Sequence, residues 1–294
     1  MKILVLGSAG QLGRCICDQF KDSTYEIIFA TRDDIDLSDT ISIREKILTL
    51  NPQIVINAAA YTEVDKAENN QKEADLINFL AVSILAKACD EIDSWLIHLS
   101  TDYIFDGLSK VPYKETIKPN PQSIYGISKL KGELAIKNID SKYIILRTAW
   151  VFSEYGDNFF KKMIDLGKEN QELSIIQDQL GCPTYAQDIA TAIICLVSKI
   201  AKNNSESGVF HFCGDNSCSW YEFAKVIFKE AKSLGFEVPN KINPIQSFEY
   251  PSLVNRPKYS VLDCVKISNT YKINTSNWRE GIKSALINIK DSND

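Results

Sequence analysis

Residues 2–20 read KILVLGSAGQLGRCICDQF, a short apolar run followed by regularly spaced glycines and an amphipathic segment. The apolar run predicts a buried strand, and the helical spacing of Leu12, Ile16 and Phe20 predicts a helix directly after it. The same alternation continues to about residue 150. Further strands are predicted at 25–30, 53–59, 95–100 and 143–148, and further helices at 38–50, about 70–90 and about 123–138.

These predicted strands are apolar on both faces, as in YEIIFA and QIVINAA. Strands of this kind that alternate with helices favour a parallel sheet covered on both sides. Right-handed crossovers then produce a doubly wound sheet. The predicted fold class is therefore α/β, with a Rossmann-type doubly wound parallel sheet.

The three glycines of the opening stretch, Gly7, Gly10 and Gly13, lie at the turn between its strand and its helix. Glycine tolerates positive φ and lets backbone N–H groups approach a phosphate closely. The helix N-terminus adds a partial positive charge. At the first strand of an alternating pattern, this spacing predicts a loop that binds the pyrophosphate of a dinucleotide. A purely structural tight turn is the alternative.

The pattern loosens after Trp150, where helical segments, strand-like segments and loops rich in proline and polar residues are mixed. We expect residues 1–150 to form a dinucleotide-binding domain. Residues 151–294 are expected to form a smaller, mixed substrate-binding lobe that is partly interleaved with the sheet domain.

The composition is that of an ordinary globular protein, with 294 residues, 45% hydrophobic and 24% charged, and a formal net charge of −5. This balance argues against nucleic acid or an anionic membrane as a partner. The longest apolar window, residues 189–200, is too short to span a bilayer and predicts a buried helix. The N-terminal apolar run is too short for a signal peptide, so a cytoplasmic protein is expected.

The eight cysteines include no CxxC pair, and His98 and His211 are the two histidines. In a long chain without a secretion signal, reduced and mostly buried thiols are expected. A zinc cluster is disfavoured, and no metal ligands are assigned. His98 lies in the apolar run SWLIHLS, which predicts a core histidine with paired polar atoms.

The second predicted strand ends in FATRDD. Dinucleotide folds often carry an acidic residue near this point, where it binds the adenosine ribose. Thr31 and Arg32 stand here instead, and an arginine beside a hydroxyl suits a 2′-phosphate. The pair favours NADPH over NADH, and a solvated charge cluster is the alternative.

Hydroxyl side chains end the strand predicted at 95–100, where Ser100 is followed by Thr101. Ligands of open parallel sheets bind at this carboxyl edge. On the next predicted helix, Tyr125 and Lys129 are four residues apart and share one face. The lysine cation is expected to lower the pKa of the phenol, which is otherwise ~10. The set predicts hydride transfer at a carbonyl, with the proton delivered by Tyr125.

The same tyrosine–lysine spacing occurs at Tyr221 and Lys225. This second pair lies in an amphipathic helical pattern of the C-terminal half, among residues typical of packing. Its occurrence shows that spacing alone is a weak signal. The strand end before Tyr125 and the glycine loop favour the first pair as the chemical one.

Eight motifs in order resemble those of the extended short-chain dehydrogenase/reductases and, within them, the dTDP-4-dehydrorhamnose reductase family. They span almost the whole chain: GSAGQLG, VINAAAYTEVDKAE, STDYIFDG, IYGISKLKGE, ILRTAWVF, DNFFKKMI, DQLGCPTYAQDIA and NRPKYSVLD. Each motif is weak by itself, whereas the ordered set is specific.

The resemblance implies roles for the residues at the matching positions. The implied cofactor contacts are Gly10, Gln11 and Leu12 on the pyrophosphate, Asp36 and Leu37 beside the adenine, and Ala60, Tyr61, Thr62 and Leu99 along the cleft. The implied catalytic residues are Tyr125 as proton donor, Lys129 as its partner on the nicotinamide ribose, and Thr101 at the sugar carbonyl. The implied contacts to the nucleotide-sugar are Thr101, Asp102, Trp150 and, on the diphosphate, Arg256.

Two features depart from the family pattern. Arg32 follows Thr31 where many relatives carry an acidic residue, which again favours NADPH, with NADH as the alternative. Cys15 stands where some relatives place a glutamate of a magnesium-bridged dimer. Magnesium use therefore has no assignable ligands in this chain, and either a monomer or a homodimer is expected.

The activity implied by the resemblance is NADPH-dependent reduction of the C4 keto group of dTDP-4-dehydro-L-rhamnose to dTDP-L-rhamnose. One alternative is an epimerase, or a reductase of another nucleotide-sugar. Another is a non-catalytic regulatory subunit of the methionine adenosyltransferase type. An intact Thr101, Tyr125 and Lys129 set argues against the last of these.

Overall fold

The structure is a computed structural model, and it describes residues 1–139, 141–251 and 254–292. Its strands are β1 (Lys2–Leu6), β2 (Glu26–Ala30), β3 (Ile54–Asn57), β4 (Trp95–Thr101), β5 (Tyr143–Thr148), β6 (Val151–Phe152), β7 (Glu172–Ile176), β8 (Leu180–Gly181), β9 (Thr184–Tyr185), β10 (Gly208–His211), β11 (Cys218–Ser219) and β12 (Lys241–Ile245). Its α-helices are α1 (Gln11–Gln19), α2 (Thr40–Leu50), α3 (Val64–Ala67), α4 (Gln71–Asp75), α5 (Ala81–Glu91), α6 (Ile124–Lys137), α7 (Phe159–Glu169), α8 (Ala186–Ala201), α9 (Trp220–Ser233), α10 (Val265–Tyr271) and α11 (Trp278–Asp291).

A six-stranded parallel sheet in the order β10-β5-β4-β3-β1-β2 forms the centre of the molecule. The predicted α/β fold class is confirmed. Buried apolar side chains cover both faces of the sheet, since alternate residues of each strand point to opposite sides. The strand order reverses between β1 and β3, so the loops that follow these two strands flank one crevice. Ligands of doubly wound sheets bind at such a crevice.

Polar side chains set the start of several helices. The Asp39 carboxylate accepts the N–H groups of Ile41 and Ser42 and begins α2. Ser123 caps α6 by accepting the N–H of Gly126 at 3.1 Å. This cap orients the helix that carries Tyr125.

The helix predicted at about 70–90 is continuous from α4 to α5 but contains a π-helical turn at Leu76–Leu80. The Asn78 amide in this turn binds the backbone N–H and C=O of Tyr61, at 2.9 and 3.0 Å. It also donates to the Ser128 hydroxyl at 3.0 Å. π-helical turns are frequent at functional sites, and this one ties the loop after β3 to α6.

The second half of the chain contributes both to a smaller lobe and to the main sheet. Short two-stranded pairs, β12 with β7, β11 with β8 and β6 with β9, surround α7, α9 and α11. Trp278 and Phe223 lie fully buried in the core of this lobe. Strand β10 nevertheless pairs with β5 in the central sheet. The boundary at residue 150 stays a prediction.

The apolar segment at 189–200 lies within α8, which packs against α1 on one face of the sheet. In the described part of the chain, no helix has the length and apolar character needed to cross a membrane.

Candidate active site

The glycine loop after β1 is tight at each of its three glycines. Gly7 has φ +76°, and a Cβ there would lie 2.8 Å from the backbone of Ala59, which follows β3. A Cβ on Gly13 would lie 2.0 Å from the Gly7 carbonyl oxygen. Gly10 begins α1 without a side-chain cap in the described residues, and the first turn carries no acidic side chain. The N–H groups at this helix N-terminus are therefore suited to a phosphate.

Gln11 and Leu12 occupy the first turn of α1 behind the glycines. The Gln11 side chain contacts the smaller lobe, donating to the Val151 carbonyl at 3.4 Å and accepting from Asn158 at 2.6 Å. Leu12 packs against the central core. With both side chains engaged elsewhere, the pyrophosphate contacts implied for these two residues would fall to their backbone N–H groups.

The end of β2 adjoins the glycine loop, because the N–H groups of Gly7 and Ser8 both donate to the Ala30 carbonyl. Thr31 donates its hydroxyl to Asp34 at 2.8 Å. The exposed Arg32 guanidinium contacts Asp36 through Nε at 3.4 Å.

A hydrogen bond from the Ser38 backbone N–H, with further contributions from Ser38 and Arg32, holds the pKa of Asp36 below its usual value. The Leu37 side chain lies in the core, so a cofactor contact there would fall to its backbone.

Residues Ala60, Tyr61 and Thr62 form the loop after β3, across the crevice from the glycines. Tyr61 is 7% exposed and pinned by Asn78. Its phenol oxygen is buried and has no hydrogen-bond partner in the described residues. A buried polar atom without a partner is costly, so this hydroxyl is a candidate for a bond to a ligand.

Thr101 and Tyr125 meet at the carboxyl end of β4. A hydrogen bond with Thr101 lowers the pKa of the Tyr125 phenol, but burial raises it by more, and the charge of Asp102 adds to the rise. The expectation that Lys129 lowers this pKa is wrong for this structure. Nζ of Lys129 donates to the Leu99 carbonyl instead, and Lys129 does not offset the burial of the phenol.

Lys129 is 2% exposed and reaches into the sheet edge from α6. Its Nζ donates to the Leu99 carbonyl at 2.7 Å and lies 3.4 Å from Nε2 of His98. Burial lowers the pKa of Lys129 to about 8, although the charge of Glu133 opposes this change. The lysine therefore titrates near neutral pH.

Asp102 follows Thr101 and is 2% exposed. Its Oδ1 accepts the Thr101 hydroxyl at 3.1 Å, whereas its Oδ2 is buried without a partner in the described residues. Burial raises the pKa of Asp102 to about 6, against hydrogen bonds from Ser260 and Thr101. An acceptor of this kind is suited to a hydroxyl group of a ligand.

Trp150 lies just beyond β5 at the same edge of the sheet, with φ +46°. Its indole stacks on Trp220 with ring centroids 3.5 Å apart and an interplanar angle of 6°. A Cβ on Gly181 would lie 2.3 Å from the indole, so the ring is held between α9 and the backbone of β8. The strained backbone and the double contact place Trp150 in one orientation.

Arg256 joins the catalytic edge through Tyr103. Its Nη1 donates to the Tyr103 hydroxyl at 3.0 Å, and Nη2 pairs with Asp65. The Tyr103 ring packs edge-to-face on Tyr125, with centroids 5.6 Å apart. The structure thus links Arg256 to Tyr125 through the intervening Tyr103.

The second tyrosine–lysine pair has a different environment. Lys225 is exposed and lies over the Tyr221 ring, with Nζ 5.6 Å from the ring centroid. The pair belongs to α9, in the smaller lobe. The contrast with the buried Lys129 separates two pairs that have identical spacing.

The cysteines and the acidic residues form no metal centre in residues 1–139, 141–251 and 254–292, where no group of three or more His, Cys, Asp or Glu could hold an ion. Cys15 is fully buried, and burial raises the pKa of its thiol. All eight cysteines are free thiols.

Several residues at the site were not singled out from the sequence. Tyr103 lies within a quoted motif but was given no role, and its buried hydroxyl was the available signal. His98 is buried as predicted, but its contact with Lys129 was missed. The sequence offers no signal for Asn78 and Trp220, which act through residues distant along the chain.

The parallel sheet, the glycine loop and the Thr101, Tyr125 and Lys129 set at its carboxyl edge define an oxidoreductase of the extended short-chain dehydrogenase/reductase class. Comparison with known families identifies the group more closely. Residues 1–290 match the model of the RmlD substrate binding domain, and the chain belongs to that family.

Relatives with assigned names support this family membership. The chain is 39% identical to a dTDP-4-dehydrorhamnose reductase of Aggregatibacter actinomycetemcomitans, over 96% of this chain and 97% of that protein. Its fold matches the crystal structure of a dTDP-4-dehydrorhamnose reductase from Clostridium acetobutylicum at TM-score 0.91 and 38% identity, covering 99% and 100% of the two chains. It also matches the enzyme of Bacillus anthracis, solved in complex with NADP, at TM-score 0.90 and 33% identity, covering 98% and 99%. The family predicted from the ordered motifs is confirmed.

Proposed function

We propose that this protein reduces the C4 keto group of dTDP-4-dehydro-L-rhamnose to dTDP-L-rhamnose with NADPH. The observation that carries the proposal is that Thr101, Tyr125 and Lys129 lie at the carboxyl end of β4, on the same edge of the sheet as the glycine loop after β1. It occurs in a chain that is similar over its whole length to named dTDP-4-dehydrorhamnose reductases.

The residues present fit a dinucleotide. The closely packed glycines and the uncapped N-terminus of α1 suit the pyrophosphate. Ala60, Tyr61 and Thr62 follow β3, the strand next to β1, and can line the other side of the crevice. Arg32 is exposed at the end of β2, where a 2′-phosphate would distinguish NADPH from NADH.

The chemistry of the step assigns a role to each side chain. A bound reduced nicotinamide supplies the hydride. Tyr125 gives its proton to the oxygen of the former carbonyl, and Thr101 holds that oxygen by a hydrogen bond. The raised pKa of Tyr125 keeps the phenol protonated before the step. Proton delivery by Tyr125 therefore requires that charge develop on the substrate oxygen.

The sugar and its diphosphate have separate anchors. Asp102 offers a buried carboxylate oxygen to a sugar hydroxyl. Trp150 presents an immobilised ring at the same edge. Arg256 provides the cation for the diphosphate, and its contact with Asp65 can be exchanged for a phosphate oxygen.

The test is a turnover assay with purified dTDP-linked 4-keto-6-deoxyhexoses and either NADPH or NADH, reading cofactor oxidation by absorbance. Net oxidation of NADPH with the rhamnose precursor is expected. Sugar conversion without net cofactor oxidation would instead identify an epimerase. Absence of turnover, combined with capture of a methionine adenosyltransferase subunit, would replace the proposal with the regulatory alternative.

A further inference from the structure

The buried histidine next to Lys129 has a tautomer that the surrounding hydrogen bonds determine. Asn57 and His98 are register partners on β3 and β4, and Asn57 Nδ2 lies 3.1 Å from His98 Nδ1. The Asn57 Oδ1 accepts the backbone N–H of Ala59 at 3.1 Å. Because only the amide oxygen can accept that N–H, the Asn57 NH₂ group must face the ring. Nδ1 of His98 is then an acceptor.

The proton of the neutral ring must therefore reside on Nε2, the nitrogen that faces Lys129. His98 is fully buried, and burial together with the charge of Lys129 keeps its pKa well below the usual value. Nε2 lies 3.4 Å from Nζ of Lys129. An ammonium group has only donors, so a charged Lys129 would place two donors face to face. An uncharged amine can accept the Nε2–H.

The other charged groups around the pair leave this preference in place. Among the described residues, Glu133 on the same helix is the carboxylate whose charge acts on Lys129. Both oxygens of Glu133 are bound by Arg147 of β5, and one also accepts the Ser100 hydroxyl. The Leu99 carbonyl accepts an N–H of Lys129 whether the amine is charged or not.

We propose that Asn57 and His98 are positioning residues that stabilise the uncharged form of Lys129, by directing the Nε2–H of His98 at the lysine amine. The proposal rests on the proposed function only for the role of Lys129. Lys129 then exchanges a proton near neutral pH instead of remaining a permanent cation.

The first test is ¹⁵N NMR of the histidine side chains in the intact protein without substrate. The chain has two histidines, and His211 is an internal control. Its Nδ1 lies 3.0 Å from the Tyr113 carbonyl oxygen, so its proton must reside on Nδ1. We expect the proton of His98 on Nε2 and that of His211 on Nδ1. A proton on Nδ1 of His98 would overturn the proposal, whatever the enzyme does with sugars.

The second test moves that proton. In Asn57→Asp, the carboxylate can still accept the Ala59 N–H and can also accept a hydrogen bond from Nδ1 of His98. The ring proton then resides on Nδ1, and Nε2 presents its lone pair to Lys129. His98→Gln can present an amide oxygen to Lys129 and covers the case in which Asn57→Asp does not fold. In each folded variant the pKa of Lys129 should rise by about one unit. Half of the lysine is then deprotonated only at about a tenfold lower proton concentration.

The readout of the second test is ¹⁵N NMR of lysine Nζ against pH, with the pH profile of kcat as a second measure. An unchanged Lys129 titration in the folded variants would refute the proposal. If the native protein is inactive toward every keto-sugar but the Lys129 titration shifts as expected in the variants, the proposed function is refuted and this inference is not.

Discussion

Arg147 and Glu133 form a two-point ion pair inside the protein, with Nε 2.8 Å from Oε1 and Nη2 2.6 Å from Oε2. Both side chains are at most 1% exposed. The pair joins β5 to α6 one turn beyond Lys129. It therefore holds the helix of the proposed catalytic residues against the sheet.

Removal of one partner of this pair should destabilise the fold strongly. Glu133→Ala leaves the Arg147 guanidinium buried without its counter-ion, which typically costs about 3–5 kcal/mol of the free energy of unfolding. Urea denaturation followed by circular dichroism measures the loss. Glu91→Ala, which breaks an exposed pair with Arg44, is the matched control and should change little. Equal effects of the two substitutions would contradict this prediction.

Loss of the Tyr125 hydroxyl should abolish most turnover without disturbing the structure. Tyr125→Phe keeps the ring that packs on Tyr103 but removes the proton donor. We expect kcat to fall by about 10²–10⁴, the usual contribution of general acid catalysis. Tyr221→Phe is the control with the same spacing to a lysine and should retain kcat. A Tyr125→Phe enzyme with a near-normal rate would exclude the assignment.

Cofactor preference should depend on Arg32. Its guanidinium is exposed at the end of β2, and Arg32→Ala removes the cation available to a 2′-phosphate. The KM for NADPH should rise about tenfold, equivalent to about 1.4 kcal/mol, while the KM for NADH changes little. Steady-state kinetics with both cofactors provide the measurement. Arg44→Ala, at an exposed arginine of α2, should leave both constants unchanged.

Asp102 should make the stability depend on pH in an unusual direction. Burial raises its pKa from 3.8 to about 6, so the native state keeps this proton to higher pH than the unfolded chain does. Its contribution to stability is therefore lost as the pH rises from about 4 to about 6, with a magnitude on the order of 3 kcal/mol.

Asp102→Asn should gain stability relative to the native chain between pH 4 and pH 8, as judged by urea midpoints. Asp34→Asn is the control, because hydrogen bonds from Thr31 lower the pKa of Asp34, which confines its pH-dependent contribution to the region below about pH 4. Its stability relative to the native chain should therefore stay nearly constant between pH 4 and pH 8. Parallel behaviour of the two variants would argue against a raised pKa at Asp102.

The stacked tryptophans should affect substrate binding more than chemistry. Trp220→Ala removes the ring that lies 3.5 Å from Trp150, which frees the Trp150 indole to change orientation. The KM for the nucleotide-sugar should rise about tenfold, with a smaller change in kcat. Trp220→Phe retains an aromatic partner and should restore most of the binding. A fall in kcat alone would contradict a positioning role for Trp220.

Much of the fold was accessible from local patterns. The apolar runs of β1 to β5 and the helical spacing of α1 and α6 placed these elements within a few residues of their observed bounds. The π-helical turn at Leu76–Leu80 was not predicted, because it depends on the bonds from Asn78 to Tyr61. The pairing of β10 with β5 was equally inaccessible, since these strands are far apart in sequence.

Some features of the candidate site were likewise predictable from the sequence, and others were not. The order of the motifs determined the family, and the hydroxyl at the end of β4 favoured Tyr125 over Tyr221. The spacing could not show that Lys129 is buried while Lys225 is exposed. It also suggested a lysine that lowers the pKa of Tyr125, whereas burial raises that pKa.

The sequence by itself determined an α/β chain with a glycine loop, a tyrosine and a lysine on one helical face, and the motifs of one family. Only the tertiary structure decided the surroundings that lower the pKa of that lysine. His98 lies 41 residues from Asn57 and 31 residues from Lys129. Sheet register brings Asn57 to His98, and the packing of α6 on the sheet brings Lys129 to His98. The periodicity of apolar residues in the sequence indicates which side chains of a strand or helix are buried. The pKa of a buried group depends instead on desolvation and on hydrogen bonds from residues remote in sequence.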